Sequence, residues 1–235
     1  MILYIKHVDI EGPETIGAFF ERHGYESCVV DLSRGGRLPE NCDDLDAVIC
    51  LGGPMNVYEE DQYPFLKEEN TFIQGVLRDE VPFLGICLGS QLLAKACGAR
   101  VSRSPTEEIG WRTVTLTGEG KNDPLFAGLR PDLFVFQWHG DTFAIPENGQ
   151  WLVSGPDCPH QALKVGPAAY GFQFHIEITD KSIREWSEEY FKNNPGLLKE
   201  KKAEMLAEYE KKKAAFEQEA DAIYRNFLKL IVQRK

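Results

Sequence analysis

The chain has 235 residues, of which 43% are hydrophobic and 27% are charged, a balance typical of a packed globular protein and unlike that of disordered chains. This length is near the upper size of one domain, so we expect one large core with at most an appendage. The formal net charge of −11 disfavours nucleic-acid binding, because a polyanion would be repelled.

The six cysteines form no C-x-x-C pair and no spacing typical of a zinc site, and the N-terminus does not resemble a secretory signal. Without a disulfide framework the expected location is the reducing cytoplasm. The apolar run at residues 1–5 ends at Lys6 and is too short to span a membrane. We therefore predict no membrane partner, no metal and no cofactor.

Apolar segments and helical segments alternate in the first half of the chain. The predicted strands cover residues 2–8, 28–32, 45–51 and 81–86, and the predicted helices cover residues 13–23 and 65–79. Nearly continuous apolar strands are typical of a parallel sheet buried on both faces by helices. This pattern predicts an α/β fold with its functional site at the carboxyl ends of the strands.

After Gly98 the pattern changes to shorter, more alternating segments. Further strands are predicted at residues 111–117, 133–138, 162–165 and 170–174, and one helix at 180–193. Asn194-Pro195-Gly196 is typical of a break in structure. We predict an α/β domain over 1–195 and a charged amphipathic C-terminal helix over 196–235. Its charges alternate in sign, which favours packing on the domain, a second copy or a partner over a membrane surface.

The strongest chemical signal is Gly85-Ile86-Cys87-Leu88-Gly89, where an apolar strand runs into a helical pattern. A nucleophile on such a turn has a strained backbone, so its neighbours must be small. At a helix N-terminus the dipole favours a thiolate, and the N–H of Leu88 can donate to an oxyanion beside the sulfur. Cys87 is the candidate nucleophile; the alternative is an ordinary buried cysteine.

A nucleophilic cysteine needs a base, and Gln173-Phe174-His175-Ile176-Glu177 supplies a candidate. Residues two apart on a strand face the same side. Glu177 can therefore hold one ring nitrogen of His175 while the other faces Cys87. The three residues form a predicted catalytic triad.

Two alternatives involve other histidines. His139 is the rival candidate for the base. A metal site formed by His139, His160 and Cys158 would require these residues to converge, which no spacing in the sequence indicates.

A third pattern, Gly52-Gly53-Pro54, ends the strand predicted at 45–51. Two successive glycines let the backbone approach a ligand closely and leave N–H groups free to donate. We assign the N–H of Gly53 to the second half of an oxyanion hole. On its own, Gly-Gly-Pro is equally typical of an ordinary turn.

With these three patterns in this order, the chain resembles the class I (triad) glutamine amidotransferases over roughly residues 40–180. It is most similar to the amidotransferase domain of GMP synthase and to stand-alone relatives of that domain. The resemblance implies a doubly wound, mostly parallel, flavodoxin-like fold. It implies a triad of Cys87, His175 and Glu177 and an oxyanion hole at the backbone of Gly53 and Leu88.

The resemblance also implies a set of residues that contact the glutamine substrate. Gln91 would contact the glutamine itself, and a second segment would bind its α-amino and α-carboxylate groups, partly through the backbone. The residues of that segment are Trp138, Gly140 and Asp141. Ile176 stands where the family usually has proline, which shapes the backbone and leaves the triad in place.

The sequence shows no second catalytic domain and no phosphate-binding glycine-rich loop, so a fused GMP synthase is not expected. We expect an enzyme that hydrolyses the glutamine side-chain amide through a γ-glutamyl thioester and passes ammonia to a separate synthetase. A stand-alone hydrolase of γ-glutamyl peptides or amides is one alternative. A catalytically silent binding or regulatory module is another, and the intact triad speaks against it. The expected partners are a small-molecule substrate and either a synthetase subunit or a second copy of the chain.

Overall fold

Nine strands join into one sheet in the computed structural model of the chain, which describes residues 1–234. In chain order the strands are β1 (Ile2–Lys6), β2 (Ser27–Asp31), β3 (Ala47–Cys50), β4 (Phe83–Ile86), β5 (Val101–Leu116), β6 (Asp132–Phe143), β7 (Gly149–Ser154), β8 (Ala162–Val165) and β9 (Ala169–Phe172). The α-helices are α1 (Glu14–Arg22), α2 (Phe65–Arg78), α3 (Leu88–Ala96), α4 (Gly118–Asn122), α5 (Asp180–Tyr190) and α6 (Pro195–Arg234).

The strand order of the sheet is β2-β1-β3-β4-β9-β8-β7-β5-β6. The pairings from β2 to β9 are parallel, and those from β9 to β6 are antiparallel. Strands β3, β4 and β9 are buried along their whole length, as apolar strands between two layers of helices must be. The predicted doubly wound α/β fold is confirmed, and its antiparallel half has as many pairings as its parallel half.

Helices cover both faces of the parallel half. On one face, α1 and α6 pack aromatic side chains, including Phe19, Phe20 and Phe227, against β1 and β3. On the other face, α2 and α3 bury Ile73 and Leu92 against the same strands. The carboxyl ends of β1, β3, β4 and β9 therefore open at one edge of a closed three-layer core, where a doubly wound fold places its ligand.

The antiparallel half differs most from the sequence-based boundaries. β5 is 16 residues long and pairs with β6 across a register shift between Arg103 and Glu108. The polar residues at 102–108 make the first part of this strand hard to predict from the sequence, because they break the alternation that a half-buried strand normally shows. Strand β7 and helix α4 were not predicted. The predicted break contains the start of α6, since the fixed φ of Pro195 suits the first turn of a helix.

The C-terminal helix α6 packs on the α/β body. The hydroxyl of Tyr224 donates a hydrogen bond of 2.9 Å to the carbonyl of Ile176, and the indole of Trp111 donates one of 2.9 Å to the carbonyl of Met205. Within residues 1–234 no helix has both the length and the apolar character needed to cross a bilayer. The division into a domain over 1–195 and an extension over 196–235 stays a prediction.

Candidate active site

Cys87 occupies a sharp turn between β4 and α3. Its backbone has φ 51° and ψ −105°, a conformation that residues other than glycine rarely adopt. Hydrogen bonds hold the turn on both sides. The N–H of Cys87 donates to the carbonyl of Phe172 at 2.7 Å, and the Cys87 carbonyl accepts from the hydroxyl of Ser90 at 2.6 Å. The surrounding structure thus fixes a strained residue at a strand end, as in a nucleophile elbow.

The two glycines that flank the turn are required by close packing. A Cβ at Gly89 would lie 2.1 Å from the carbonyl oxygen of Cys50, and one at Gly85 would lie 2.4 Å from the carbonyl of Gly89. Both contacts are with backbone, which cannot rotate away. Any side chain at either position would therefore push the elbow out of place.

His175 and Glu177 lie just beyond β9 and face each other. The Nδ1 of His175 is 2.6 Å from a carboxylate oxygen of Glu177, and the other carboxylate oxygen accepts from the N–H of Ile176 at 2.9 Å. The backbone of His175 pairs with Phe136 of β6, its N–H donating at 2.8 Å. These contacts fix the imidazole, so that Nδ1 carries the proton towards Glu177 and Nε2 is left for other chemistry.

The environment of His175 favours its protonated form. Burial of the ring lowers its pKa, but the charge of Glu177 and the adjacent thiol of Cys87 outweigh this, so the pKa lies well above its ordinary value. A protonated imidazole beside a thiol is the arrangement that activates nucleophilic cysteines.

Two backbone N–H groups beside Cys87 have no acceptor within residues 1–234. One belongs to Leu88, the first residue of α3, and the other to Gly53, directly after β3. The carbonyl of Gly52 accepts from Nδ1 of His7 at 2.9 Å, and His7 is not among the residues that line the cavity. Free N–H groups at a helix start and on a glycine loop are the donors that an oxyanion hole uses.

A cavity of about 340 Å³ opens over the thiol. It is lined by every predicted site residue except Leu88 and Glu177, which lie behind it. The lining also contains residues that the sequence did not single out, among them Glu11, Arg103 and Tyr190. The volume is in the lower range of small-molecule sites.

The predicted substrate-binding segment on β6 lies across the thiol. The carbonyl of Trp138 is 3.6 Å from the sulfur of Cys87. The side-chain amide of Gln91 donates to the carbonyl of Asp141 at 3.3 Å and to the amide oxygen of Gln173 at 3.2 Å. Gln91 therefore ties α3 to β6 while it lines the cavity.

Asp141 is a buried acid among the residues that line the cavity. Burial, a side-chain hydrogen bond with Asp141 and the Asp141 charge raise the pKa of Tyr58. The guanidinium of Arg103 lies beside Gly140, within 2.9 Å of where a Cβ would be. A buried carboxylate without an ion-pair partner is costly, which indicates that a cationic group belongs there.

A second buried acid, Glu11, lies on the His175 side of the cavity. One oxygen accepts from the hydroxyl of Tyr190 at 2.5 Å, and the other lies so close to Gly52 that a Cβ there would clash with it. Burial raises the pKa of Glu11, and the positive charge of His175 opposes that shift. The Glu11–Tyr190 pair thus adds a titratable group next to the candidate base.

The profile of the family described as "Glutamine amidotransferase class-I" matches residues 20–194. The chain belongs to this family. Its members are cysteine-dependent amide hydrolases, and hydrolysis of the glutamine side-chain amide is the reaction that membership supports.

Individual relatives agree with this family. A glutamine amidotransferase-like protein of Salmonella typhimurium, YfeJ, is 35% identical over 183 residues, which is 77% of each chain. GMP synthase of Porphyromonas gingivalis is 32% identical over 60% of this chain but only 27% of its own length. A glutamine amidotransferase structure from Thermotoga maritima superposes with a TM-score of 0.87 at 35% identity and covers 96% of both chains.

Residues 1–234 of the amidotransferase contain two buried clusters with the donor types of a metal site. The first is His7, Cys50 and Glu69. Its Nε2 to carboxylate distance is 2.9 Å and its thiol to carboxylate distance is 3.2 Å, so the groups are already satisfied by hydrogen bonds to one another.

The second cluster is Glu108, His139 and Cys158, so the structure brings His139 and Cys158 together. His160 is not in it and contacts the carbonyl of Phe143 instead. Both ring nitrogens of His139 are occupied, at 3.0 Å by Glu108 and at 2.9 Å by the carbonyl of Asp141. His139 therefore has no nitrogen free to act on the thiol.

The residues that sequence reasoning missed fall into two groups. His7 and Glu11 follow β1, and the rule that parallel strands carry function at their carboxyl ends would have drawn attention to them. Glu69 on α2, Arg103 on β5 and Tyr190 on α5 carry no local pattern, because their places in the site depend on contacts with residues far away in the chain.

Proposed function

We propose that the amidotransferase hydrolyses glutamine to glutamate and ammonia through a γ-glutamyl thioester on Cys87, with His175 as base and acid and Glu177 as its orienting carboxylate. The observation that carries the proposal is the strained Cys87 at the mouth of a cavity that also contains His175, itself held by Glu177 at 2.6 Å. A nucleophile, a base and an orienting group in this relation make a triad by role.

In the first half-reaction, the thiol proton moves to Nε2 of His175 and the sulfur attacks the side-chain carbonyl carbon of glutamine. The carbonyl oxygen becomes an oxyanion, which the N–H groups of Gly53 and Leu88 would bind. The C–N bond then breaks, His175 returns the proton to the nitrogen, and ammonia leaves.

In the second half-reaction, water attacks the thioester carbon while His175 takes its proton. The same N–H groups bind the second oxyanion. The C–S bond breaks, glutamate leaves and Cys87 regains its proton from His175. Glu177 holds the imidazolium in the orientation that both steps need.

Substrate recognition follows from the charged groups over the thiol. The buried carboxylate of Asp141 suits the α-ammonium of glutamine, and the guanidinium of Arg103, which lies beside Gly140, suits the α-carboxylate. Trp138 and Gln91 border the path of the side chain between these groups and the sulfur. This arrangement would select γ-glutamyl compounds with a free α-amino acid end.

We also propose that the ammonia is used by a separate synthetase. GMP synthases, which are relatives of this chain, are named as glutamine-hydrolysing, and the matched segment is 27% of the length of the Porphyromonas gingivalis protein. The matched segment is the part of this chain that resembles those proteins, and the remaining part of the relative is what would use the ammonia there.

A second candidate, a stand-alone hydrolase of γ-glutamyl amides, is favoured by Glu11. This carboxylate and the hydroxyl of Tyr190 border the cavity on the side of His175, where the leaving nitrogen takes its proton. An acid at that point suits an amine leaving group that carries a further positive charge.

The test is ammonia and glutamate release from glutamine by the purified chain, with γ-glutamyl amides and dipeptides in parallel. Hydroxylamine should intercept the thioester as γ-glutamyl hydroxamate. Cys87→Ala should lose at least about 10³-fold in kcat and all hydroxamate formation. Full turnover in Cys87→Ala refutes the triad, and preference for γ-glutamyl amides over glutamine favours the second candidate. A wild-type chain inactive on every substrate would support a silent module.

A further inference from the structure

A buried ion pair lies directly behind the glycine loop. His7 follows β1 and Glu69 lies on α2, and both side chains are completely buried. Nε2 of His7 is 2.9 and 3.1 Å from the two carboxylate oxygens of Glu69, and the thiol of Cys50 donates to the same carboxylate at 3.2 Å. The mechanism above uses none of these three groups.

The other ring nitrogen of His7 contacts the peptide that matters for the oxyanion. Nδ1 is 2.9 Å from the carbonyl oxygen of Gly52. A carbonyl can only accept, so Nδ1 carries a proton and donates it. The carbonyl of Gly52 and the N–H of Gly53 belong to one peptide unit.

The geometry of the peptide unit means that the hydrogen bond from His7 to the Gly52 carbonyl also fixes the direction of the Gly53 N–H. Every peptide bond within residues 1–234 is trans, so the C=O and N–H of each unit point in opposite directions. His7 holds the Gly52 carbonyl on the buried side. The Gly53 N–H therefore points to the opposite side, towards the cavity that Gly53 lines. It has no other acceptor within residues 1–234.

The charge state of the pair strengthens the same N–H. Nδ1 of His7 donates to the Gly52 carbonyl, and the Glu69 carboxylate lies against Nε2 on the other side of the ring. Burial lowers the pKa of His7, but Glu69 and the bond to Gly52 raise it further, so the net shift is upward. A cationic donor on the carbonyl polarises the peptide and makes its N–H a stronger donor.

We propose that His7, backed by Glu69, is a positioning residue that locks the Gly52–Gly53 peptide with its N–H aimed at the oxyanion, so that the hole is already formed in the chain alone. This inference rests on the proposed function, since it needs an oxyanion at Cys87. It predicts that glutamine turnover does not wait for a partner to rotate this peptide.

The packing around Gly53 also restricts the orientation of the Gly52–Gly53 peptide. A Cβ at Gly53 would lie 2.9 Å from the Cβ of His7 and 3.0 Å from the side chain of Leu88. The loop is thus held between His7 on one side and the first residue of α3 on the other. A lost hydrogen bond to Gly52 would leave no other side-chain donor for that carbonyl within residues 1–234.

The test compares two variants that differ by one donor. His7→Leu/Glu69→Leu removes the ion pair without stranding a charge, and His7→Asn/Glu69→Leu restores an amide N–H near the position of Nδ1. Asparagine and leucine have similar shapes, so the difference between the two variants reports the donor to Gly52. The matched control applies the same two exchanges to the other buried pair, His139 and Glu108, whose Nδ1 contact is with Asp141.

Two rates are measured in each variant, kcat for glutamine and alkylation of Cys87 by iodoacetamide. In alkylation the sulfur bonds to carbon as iodide leaves, so no oxyanion forms. We expect kcat of His7→Leu/Glu69→Leu to be at least about tenfold below that of His7→Asn/Glu69→Leu, with the 10²–10³-fold cost of a fully lost oxyanion donor as the upper bound. Alkylation should stay within about twofold. In the control pair the effect should fall on KM.

Equal kcat in the two variants, or kcat and alkylation that fall together, overturns the positioning role. If the leucine variant does not fold, Glu69→Gln replaces it, and its kcat should still fall while alkylation holds. A wild-type chain that by itself turns over neither glutamine nor γ-glutamyl amides overturns the preformed hole, whereas full turnover in Cys87→Ala overturns the proposed function.

Discussion

Replacing Cys87 by glycine and, separately, by alanine measures the strain stored at the elbow. Both variants lack the sulfur, so they differ only in the Cβ and in backbone freedom. At φ 51° and ψ −105° a residue with a Cβ is disfavoured, whereas glycine is tolerated. We therefore expect Cys87→Gly to be more stable than Cys87→Ala, the reverse of the usual order.

The size of the effect follows from two opposing contributions. A residue held in such a sparsely populated backbone region costs of order 1–3 kcal/mol. Glycine in turn costs about 0.5–1 kcal/mol through the greater freedom of the unfolded chain. The net gain for Cys87→Gly over Cys87→Ala is about 0.5–2 kcal/mol. For a chain of this size that corresponds to a rise in Tm of about 1–8 °C.

The assay is thermal unfolding of both variants by circular dichroism, with chemical denaturation for the free energy. The matched control is the same pair of exchanges at Cys97, which follows α3 with an ordinary φ of −92°. There alanine should be the more stable. A Cys87→Gly variant that is less stable than Cys87→Ala by the ordinary margin would refute the strained elbow.

Three further predictions concern the charges and packing of the site. Glu177→Gln removes the charge that raises the pKa of His175, so the alkaline limb of the pH profile of kcat/KM should move to lower pH. The kcat should fall by up to about 10⁴-fold. An alkaline limb at the wild-type pH contradicts this prediction. Burial raises the folded-state pKa of Glu11, so the wild type loses stability as pH rises from about 4.3 to that folded pKa. The Tm gain of Glu11→Gln should therefore be larger at about pH 8 than at about pH 4, and an equal gain at both argues against a charged buried acid. Gly89→Ala should lower the free energy of unfolding by about 1–3 kcal/mol and remove most activity, because its Cβ would lie 2.1 Å from the Cys50 carbonyl oxygen. Thermal unfolding and ammonia release measure the two effects. A stable, active variant would show that the elbow can shift.

The parallel half of the fold could be predicted from the sequence because the patterns that mark its strands and helices are local. The apolar runs of β1, β3 and β4 are buried strands, whereas β2 lies exposed at the edge of the sheet. The motifs at Gly53 and Cys87 follow the ends of β3 and β4. Parallel strands bring these ends to one edge of the sheet, so the positions of the site residues follow from the order of the strands. The roles of those residues in catalysis are still predictions.

The antiparallel half was harder to read because its pairing is decided by tertiary contacts. The first part of β5 lacks alternation, and its partner β6 supplies the hydrogen bonds that make it a strand. The same limit applies to buried polar pairs. His7 and Glu69 are 62 residues apart, and Glu11 and Tyr190 are 179 apart, so no spacing rule connects them.

The packing of α6 gives the end of the chain a part in forming the site. The hydroxyl of Tyr224 bonds to the carbonyl of Ile176, the residue between His175 and Glu177, and also to Thr15 on α1. Synthesis proceeds from the amino end, so a nascent chain has its whole set of site residues long before this clamp exists. Until Tyr224 and Phe227 emerge, α1 alone covers that face of the sheet, and the carbonyl of Ile176 lacks its hydroxyl donor.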